Sequence, residues 1–220
     1  MVQDTSREAY LAILWNVTWR RRQIRYILLT HHHDDHAGFL RSLIEDSEAR
    51  LIAHEKAAPH LLEGAHHMDM EYLNACTEIS LRLYALFRRH TYPSYRVRDD
   101  DILIRGDETQ LLEEIGVEGE ILCTPGHTDD SITLLMSNGD AFVGDAVMNF
   151  LGFCGIRYRP IVYRSIDEAY MSWERLIEGG RPDHISLPRR SLQGREAEAG
   201  TQAAWSMRLE TQENRCRLNP

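Results

Sequence analysis

The apolar run Ile24-Arg25-Tyr26-Ile27-Leu28-Leu29-Thr30 passes without a break into His31-His32-His33-Asp34-Asp35-His36. This junction constrains the fold more than any other part of the chain. The run reads as a largely buried strand. If residues 31–36 then leave the sheet as a loop, alternate side chains can converge on one point. Imidazole and carboxylate are the groups that zinc takes in sites with an open coordination position. A surface turn rich in His, or a metal-binding tract with no further role, is the competing reading. Two spaced His followed by Asp-His at a strand's C-terminal end weigh against it.

Two later segments have the same form. Cys123-Thr124-Pro125-Gly126-His127-Thr128 follows the apolar Ile121-Leu122, and its Pro and Gly shape a tight turn that can present His127 inward. Gly144-Asp145 follows Ala141-Phe142-Val143. A carboxylate at the end of a buried strand is costly unless it is paired or bound to a metal. The plainer alternatives are an incidental His in a turn and an Asp that caps the next segment.

The rest of the chain frames these segments. Residues 37–45 read as a helix with Phe39, Leu40, Leu43 and Ile44 on one side, and 50–53 as a short strand. Residues 56–90 are helical by period, with Leu73, Cys76 or Thr77, Ser80, Leu83 or Tyr84, and Phe87 sharing a face. Strands follow near 96–104 and 120–124. Two more, 131–137 and 141–144, flank Asn138-Gly139, a pair that favours a type I′ hairpin turn. Ser165-Ile166-Asp167-Glu168 resembles a capping box opening a helix that runs to about residue 178. A final strand at 185–187 and a helical tail over 195–215 complete the pattern. Strands alternate with helices, but one tight hairpin interrupts them, which favours a layered α/β fold with mixed sheets.

Composition narrows the functional classes. The 220 residues carry 34 acidic and 25 basic side chains, a formal net charge of −9, which argues against nucleic acid as the main partner. The runs Arg20-Arg21-Arg22 and Arg88-Arg89 read as solvated helix faces. Cys76, Cys123, Cys154 and Cys216 have neither CxxC spacing nor the density of a small stapled scaffold. No disulfide framework is expected, and a reducing, cytoplasmic setting fits. The start has no basic segment leading into an apolar run, so no signal peptide is expected. No stretch has the length and apolarity of a membrane span.

Together the run Thr30-His31-His32-His33-Asp34-Asp35-His36-Ala37-Gly38 resembles the signature of the metallo-β-lactamase superfamily. Thr124-Pro125-Gly126-His127-Thr128 resembles its second motif and Gly144-Asp145 its third, in the same order and at similar spacing. The resemblance implies an α/β fold: an αββα sandwich of two mixed sheets flanked by helices, as one domain over 1–220 with a helical insertion or lid at about 56–98. It implies that His31, His33 and His127 hold a first zinc, that Asp35 and His36 hold a second, and that Asp145 bridges both. A hydroxide between two metals roughly 3.5–4 Å apart, its pKa lowered towards ~7, would then be the nucleophile. Asp35 is the candidate proton shuttle.

The chain departs from the family pattern twice. The family ends its sandwich with a strand followed by Pro, a small residue, His and Gly, whereas here the stretch reads Ile185-Ser186-Leu187-Pro188-Arg189-Arg190-Ser191. Arg190 stands where the last His ligand is expected, and His184, before the strand, lies too far along an extended chain to replace it. A guanidinium opposes a dication. The expectation is therefore one zinc held firmly and a second held weakly or not at all, with Arg190 available to bind a substrate carboxylate. Val2-Gln3-Asp4-Thr5 resembles the end of an early strand of the family, with Ser6 in place of the usual Gly. The strands before it are missing, which would expose a sheet edge to a second copy of this chain, a homodimer.

The leading expectation is a zinc-dependent hydrolase of a small ester, lactone, thioester or amide, with Tyr92, Tyr95, Phe150 and Tyr158 as candidate pocket residues. A phosphodiesterase or nuclease using the same metals, a degenerate metal-binding protein without catalysis, and a di-iron oxidoreductase stay open beside it.

Overall fold

The computed structural model describes residues 23–65, 70–86, 91–148, 151–156 and 158–179. In chain order the elements are β1 (Tyr26–Leu28), α1 (Asp34–Ala37), α2 (Leu40–Ser47), β2 (Arg50–His54), α3 (Ala57–Glu63), β3 (Glu71–Tyr72), α4 (Ala75–Ala85), β4 (Ile102–Ile104), α5 (Gln110–Glu114), β5 (Gly119–Cys123), β6 (Ile132–Met136), β7 (Ala141–Phe142), β8 (Val162–Tyr163) and α6 (Ile166–Gly179). Short 3₁₀ turns occupy Gly144–Ala146 and Gly152–Cys154. The chain divides into two compact units, residues 1–68 with 89–105 and residues 69–88 with 106–220. Among the described residues, no helix is long and apolar enough to cross a membrane.

The first unit is built on a parallel sheet of order β1-β2-β4. Tyr26 pairs with Arg50 and Leu28 with Ile52, and Ile52 pairs with Ile102. β2 is buried from Leu51 to His54 without alternation, as a parallel strand covered on both faces should be. Its Leu51 and Ala53 join Leu29, Ala37, Leu40, Ile44, Ala57, Leu61 and Tyr95 in one core. Burying a Leu or Ile side chain in such a core contributes about 1.5–3 kcal/mol.

A carboxylate fastens segment 91–101 to this sheet. Asp101 accepts from Leu51 N at 2.9 Å, Arg98 N at 2.8 Å and the Tyr95 hydroxyl at 2.6 Å. Arg98 adds an ion pair at 3.1 Å. Burial pushes the Asp101 carboxyl upward, but the hydrogen bonds from Tyr95, the Arg98 and Leu51 amides and the Arg98 guanidinium outweigh it and hold the group below its ordinary value. The Tyr95 hydroxyl moves the other way, raised by burial and by the bond to Asp101.

The expected helix over 56–90 is two helices with a strand between them. α3 stops at Gly64, which takes φ +68° and returns its N–H to the His60 carbonyl. A Cβ there would lie 2.5 Å from the Tyr92 carbonyl oxygen, so the stop requires glycine. The second helix, α4, opens on a reciprocal cap: Asn74 Oδ1 accepts from Thr77 N at 3.0 Å and Thr77 Oγ1 from Asn74 N at 3.1 Å. Of the proposed shared face, Thr77 is buried while Leu83 and Tyr84 are exposed.

The second unit carries an antiparallel sheet of order β5-β6-β7 and the antiparallel pair β3-β8. β5 and β6 pair from Gly119↔Met136 to Cys123↔Ile132. The hairpin to β7 exists, but its turn is not type I′. Gly139 takes positive φ and Asn138 does not, because Asn138 Oδ1 binds the Asp140 N–H at 3.0 Å and supports a longer loop instead. α6 opens at Ser165, whose Oγ accepts from Glu168 N at 3.3 Å, in line with the capping residue expected there.

One expectation is overturned. Cys76, in the first turn of α4, is bonded to Cys154 in the second 3₁₀ turn, with Cα atoms 5.5 Å apart. Spacing carried no sign of this pair because 78 positions separate the two residues and only the fold apposes them. Asn74 Nδ2 also donates to the Cys154 carbonyl at 3.1 Å. The reducing, cytoplasmic setting rested on the lack of a disulfide pattern and loses that support.

Candidate metal centre

In the first unit the ligand-type residues gather at the end of β1. His33 is the residue before α1, and its carbonyl accepts from Ala37 N at 2.7 Å and His36 N at 3.0 Å. The chain therefore turns into a helix at Asp34 instead of leaving as the expected loop. This turn brings His36 back beside His31, with ring centroids 4.1 Å apart, while His31 and His33 meet edge to face at 4.6 Å. Ring nitrogens of His31 and His33, and of His31 and His36, lie within 4.8 Å of each other. His31 is 1% and His33 3% exposed, so their polar edges are out of water.

Thr30 Oγ1 lies 3.3 Å from His31 Nδ1 and 3.2 Å from His36 Nδ1. A hydroxyl oxygen has two lone pairs and can accept from both Nδ1–H groups, which leaves Nε2 of both rings as lone-pair donors. His32 turns the other way and stacks on His60 at 3.9 Å, nearly parallel. Asp35 is exposed, its Oδ2 4.0 Å from His36 Nε2.

In the second unit His127 and Asp145 meet. His127 Nδ1 donates to the Val162 carbonyl of β8 at 2.8 Å. A carbonyl can only accept, so the proton sits on Nδ1 and Nε2 presents its lone pair. That Nε2 lies 3.7 Å from Asp145 Oδ2. His127 is presented by the turn Pro125-Gly126, in which Gly126 takes φ +137°. Asp145 is presented by the 3₁₀ turn after β7.

Within each unit the donors suit a divalent cation of borderline softness: in the first, the buried imidazoles of His31 and His33 beside His36; in the second, the buried His127 Nε2 beside the partly exposed Asp145 carboxylate. His31, His33, Asp35, His36, His127 and Asp145 are the residues able to donate. Arg190 and Phe150 lie outside the described residues, as do His184 and the segments 2–5, 185–187 and 195–215. Tyr92 packs against the first core and its hydroxyl donates to the His60 carbonyl at 3.3 Å. Tyr95 serves Asp101, and Tyr158, at φ +55°, packs against the second core.

The sequence profile of the Metallo-beta-lactamase superfamily matches residues 3–189. The chain belongs to this superfamily. A curated relative from Bacillus subtilis (strain 168), named "Probable metallo-hydrolase YflN", is 29% identical over 132 residues, covering 57% of this chain and 46% of that protein. The match thus spans about half the length of the relative. Among solved structures, the metallo-beta-lactamase family protein TTHA1429 from Thermus thermophilus aligns with TM-score 0.51 and 22% identity over 79% of this chain and 57% of that one. The BLEG-1 B3 metallo-beta-lactamase aligns with TM-score 0.51 and 20% identity over 80% of this chain and 73% of that one. These likenesses bear on the fold, and they agree with the α/β sandwich class read from the motifs.

Supporting groups escaped the sequence reading. The Val162 carbonyl orients His127 from 35 positions away. α6 grips both ligand-bearing turns: Ser172 Oγ donates to the Pro125 carbonyl at 2.7 Å, and Trp173 Nε1 to the Ala146 carbonyl at 2.7 Å. The only local signal was the amphipathic period of α6, which identifies a packed face but not its donors.

Proposed function

We propose that this superfamily member is a zinc-dependent hydrolase of a small ester, lactone, thioester or amide. His31, His33 and His127 hold one zinc firmly. Asp35, His36 and Asp145 serve a second, weaker position, since the sequence carries Arg190 where the family pattern has its last His. The observation that carries the reading is the packing of the His31, His33 and His36 rings at the end of β1, where three imidazoles would repel one another if protonated and gain little as core residues. The relative's name, a probable metallo-hydrolase, supports the reaction class.

Zinc, when bound, supplies Lewis acidity and a water acidified to a pKa near ~7. The chain's own groups do the rest. Val162 keeps the His127 proton on Nδ1, so Nε2 stays available. Exposed Asp35 can accept a proton at its carboxylate and release it to solvent. The acidic charge disfavours polyanionic substrates.

The test is elemental analysis of purified protein after dialysis, with turnover of a lactone, a thioester, an aryl ester, a β-lactam and a phosphodiester. About one zinc per chain is expected, with activity on a carbonyl substrate that His31→Ala and His127→Ala each abolish. Two tightly held zincs would overturn the weak second position. Turnover of the phosphodiester alone would overturn the substrate class, and no metal at all would overturn the reading.

A further inference from the structure

We propose that Ser172 and Trp173, adjacent residues of α6, are positioning residues that set the separation of His127 and Asp145. The proposal rests on the metal-site reading above. His127 and Asp145 come from turns 18 positions apart in sequence, after different strands, with 3.7 Å between Nε2 and Oδ2. One helix reaches both turns. Ser172 donates to the carbonyl two residues before His127, and Trp173 donates to the carbonyl one residue after Asp145, both at 2.7 Å. Both side chains are largely buried, Ser172 at 3% and Trp173 at 9% exposure, and the Trp173 bond is fully shielded from water while the Ser172 bond is partly so. A helix is stiff over two adjacent residues, and the two carbonyls are therefore held at a set distance from each other.

The contact around Gly126 reinforces the grip. The Gly126 carbonyl accepts from Arg164 N at 2.8 Å and Ser165 N at 3.0 Å, just before α6. The backbone of Gly126 is pressed so close to Ala169 that no Cβ fits between them. Groups that hydrogen-bond a metal ligand directly, as the Val162 carbonyl does His127, change affinity by about 10–100-fold when lost. Ser172 and Trp173 act one link further out, on the backbone of the ligand-bearing turns, so that range is an upper bound for them. Loss of either donor removes one tie on its turn and widens the range of His127–Asp145 separations.

The variants are Trp173→Phe, which keeps the aromatic packing and removes the donor, Ser172→Ala, which removes the hydroxyl, and Ser172→Thr, which keeps it. Zinc affinity is read by competition with a chromophoric chelator, the ligand field by the visible spectrum of the cobalt-substituted protein, and stability by urea unfolding of the metal-free chain. Trp173→Phe and Ser172→Ala are each expected to lose zinc affinity severalfold, up to about tenfold, with an altered cobalt spectrum, at temperatures where both are fully folded. Ser172→Thr is expected to retain wild-type binding. Wild-type affinity and cobalt spectrum in both donor-deleted variants, whatever their urea midpoints, would reduce the pair to packing and overturn the proposal. If Trp173→Phe does not fold, Ser172→Ala decides alone. Failure of the wild-type protein to bind zinc or cobalt would instead overturn the metal reading, and this proposal with it.

Discussion

Replacing Gly126 with Ala tests whether the ligand-bearing turn depends on its approach to α6. Two costs add. Gly126 takes φ +137°, a region that L side chains rarely adopt, which costs about 1–3 kcal/mol. A Cβ at this position would also lie 2.4 Å from Ala169 N, 2.4 Å from Ala169 Cα and 2.6 Å from Ala169 Cβ. Two of these are backbone atoms of a helix, so no rotamer change relieves the overlap. Reaching ordinary contact at 3.4 Å requires a shift of about 1 Å, and forcing extra volume into a packed site costs about 1–3 kcal/mol. The sum is a destabilisation of about 2–6 kcal/mol.

The same shift has a functional consequence. A displacement of about 1 Å would stretch the 2.7 Å bond from Ser172 to Pro125 past hydrogen-bond range, and His127 moves with the turn. Gly106→Ala is the control, since a Cβ there meets nothing within 4 Å. Urea unfolding of the metal-free proteins, followed by circular dichroism, measures the first effect, and zinc competition measures the second. Gly126→Ala is expected to lose several kcal/mol and most of its zinc affinity, while Gly106→Ala stays within about 1 kcal/mol of wild type. A Gly126→Ala protein that matches Gly106→Ala in both assays would refute the reasoning.

Two further perturbations test the units separately. The Cys76–Cys154 bridge closes a loop with a sequence separation of 78; chain-entropy arguments put its contribution at about 4.5 kcal/mol. Reduction, or paired Cys76→Ser and Cys154→Ser, is expected to lower the urea midpoint sharply, and recovery of both residues as unlinked thiols in non-reduced peptide mapping would contradict the bridge. Asp101, held below its ordinary value, contributes stability that is fully present above the ordinary carboxylate range and is lost as pH falls through its depressed value. Tyr95→Phe removes one donor to the carboxylate, so it is expected to cost about 1–2 kcal/mol at neutral pH and to move acid unfolding to higher pH. An unchanged acid midpoint would show that Asp101 does not govern it.

What could be read from the chain divides along a physical line. The ligand motifs were legible because their chemistry is contiguous: His31, His33 and His36 lie within one short run, and the short loops around His127 and Asp145 each follow an apolar strand. The strands β1, β2, β5, β6 and β7 were legible for the same reason, since continuous burial and the β6-β7 hairpin leave local patterns, whereas the two-residue strands Glu71–Tyr72 and Val162–Tyr163 left none. Local rules failed where two local preferences compete, and where a residue answers to a distant partner. Asn138 favours type I′ in isolation, yet its carboxamide binds Asp140 and changes the loop. Residues 56–90 have a helical period, yet Gly64 ends α3 because the Tyr92 carbonyl leaves no room for a Cβ.

The support of the candidate site is the extreme case. Ser172 reaches back 47 positions to Pro125, Trp173 27 positions to Ala146, and Val162 35 positions to His127. In each contact one partner is a main-chain carbonyl, which every residue possesses, so no residue type at that end marks the contact. A serine on a helix face and a tryptophan beside it read as ordinary amphipathic surface and core. Their role follows only from the carbonyls they reach. If a donor's role lies in the geometry it imposes, removing it should alter affinity more than it alters the unfolding midpoint, and the donor-deleted α6 variants are the place where those two quantities separate.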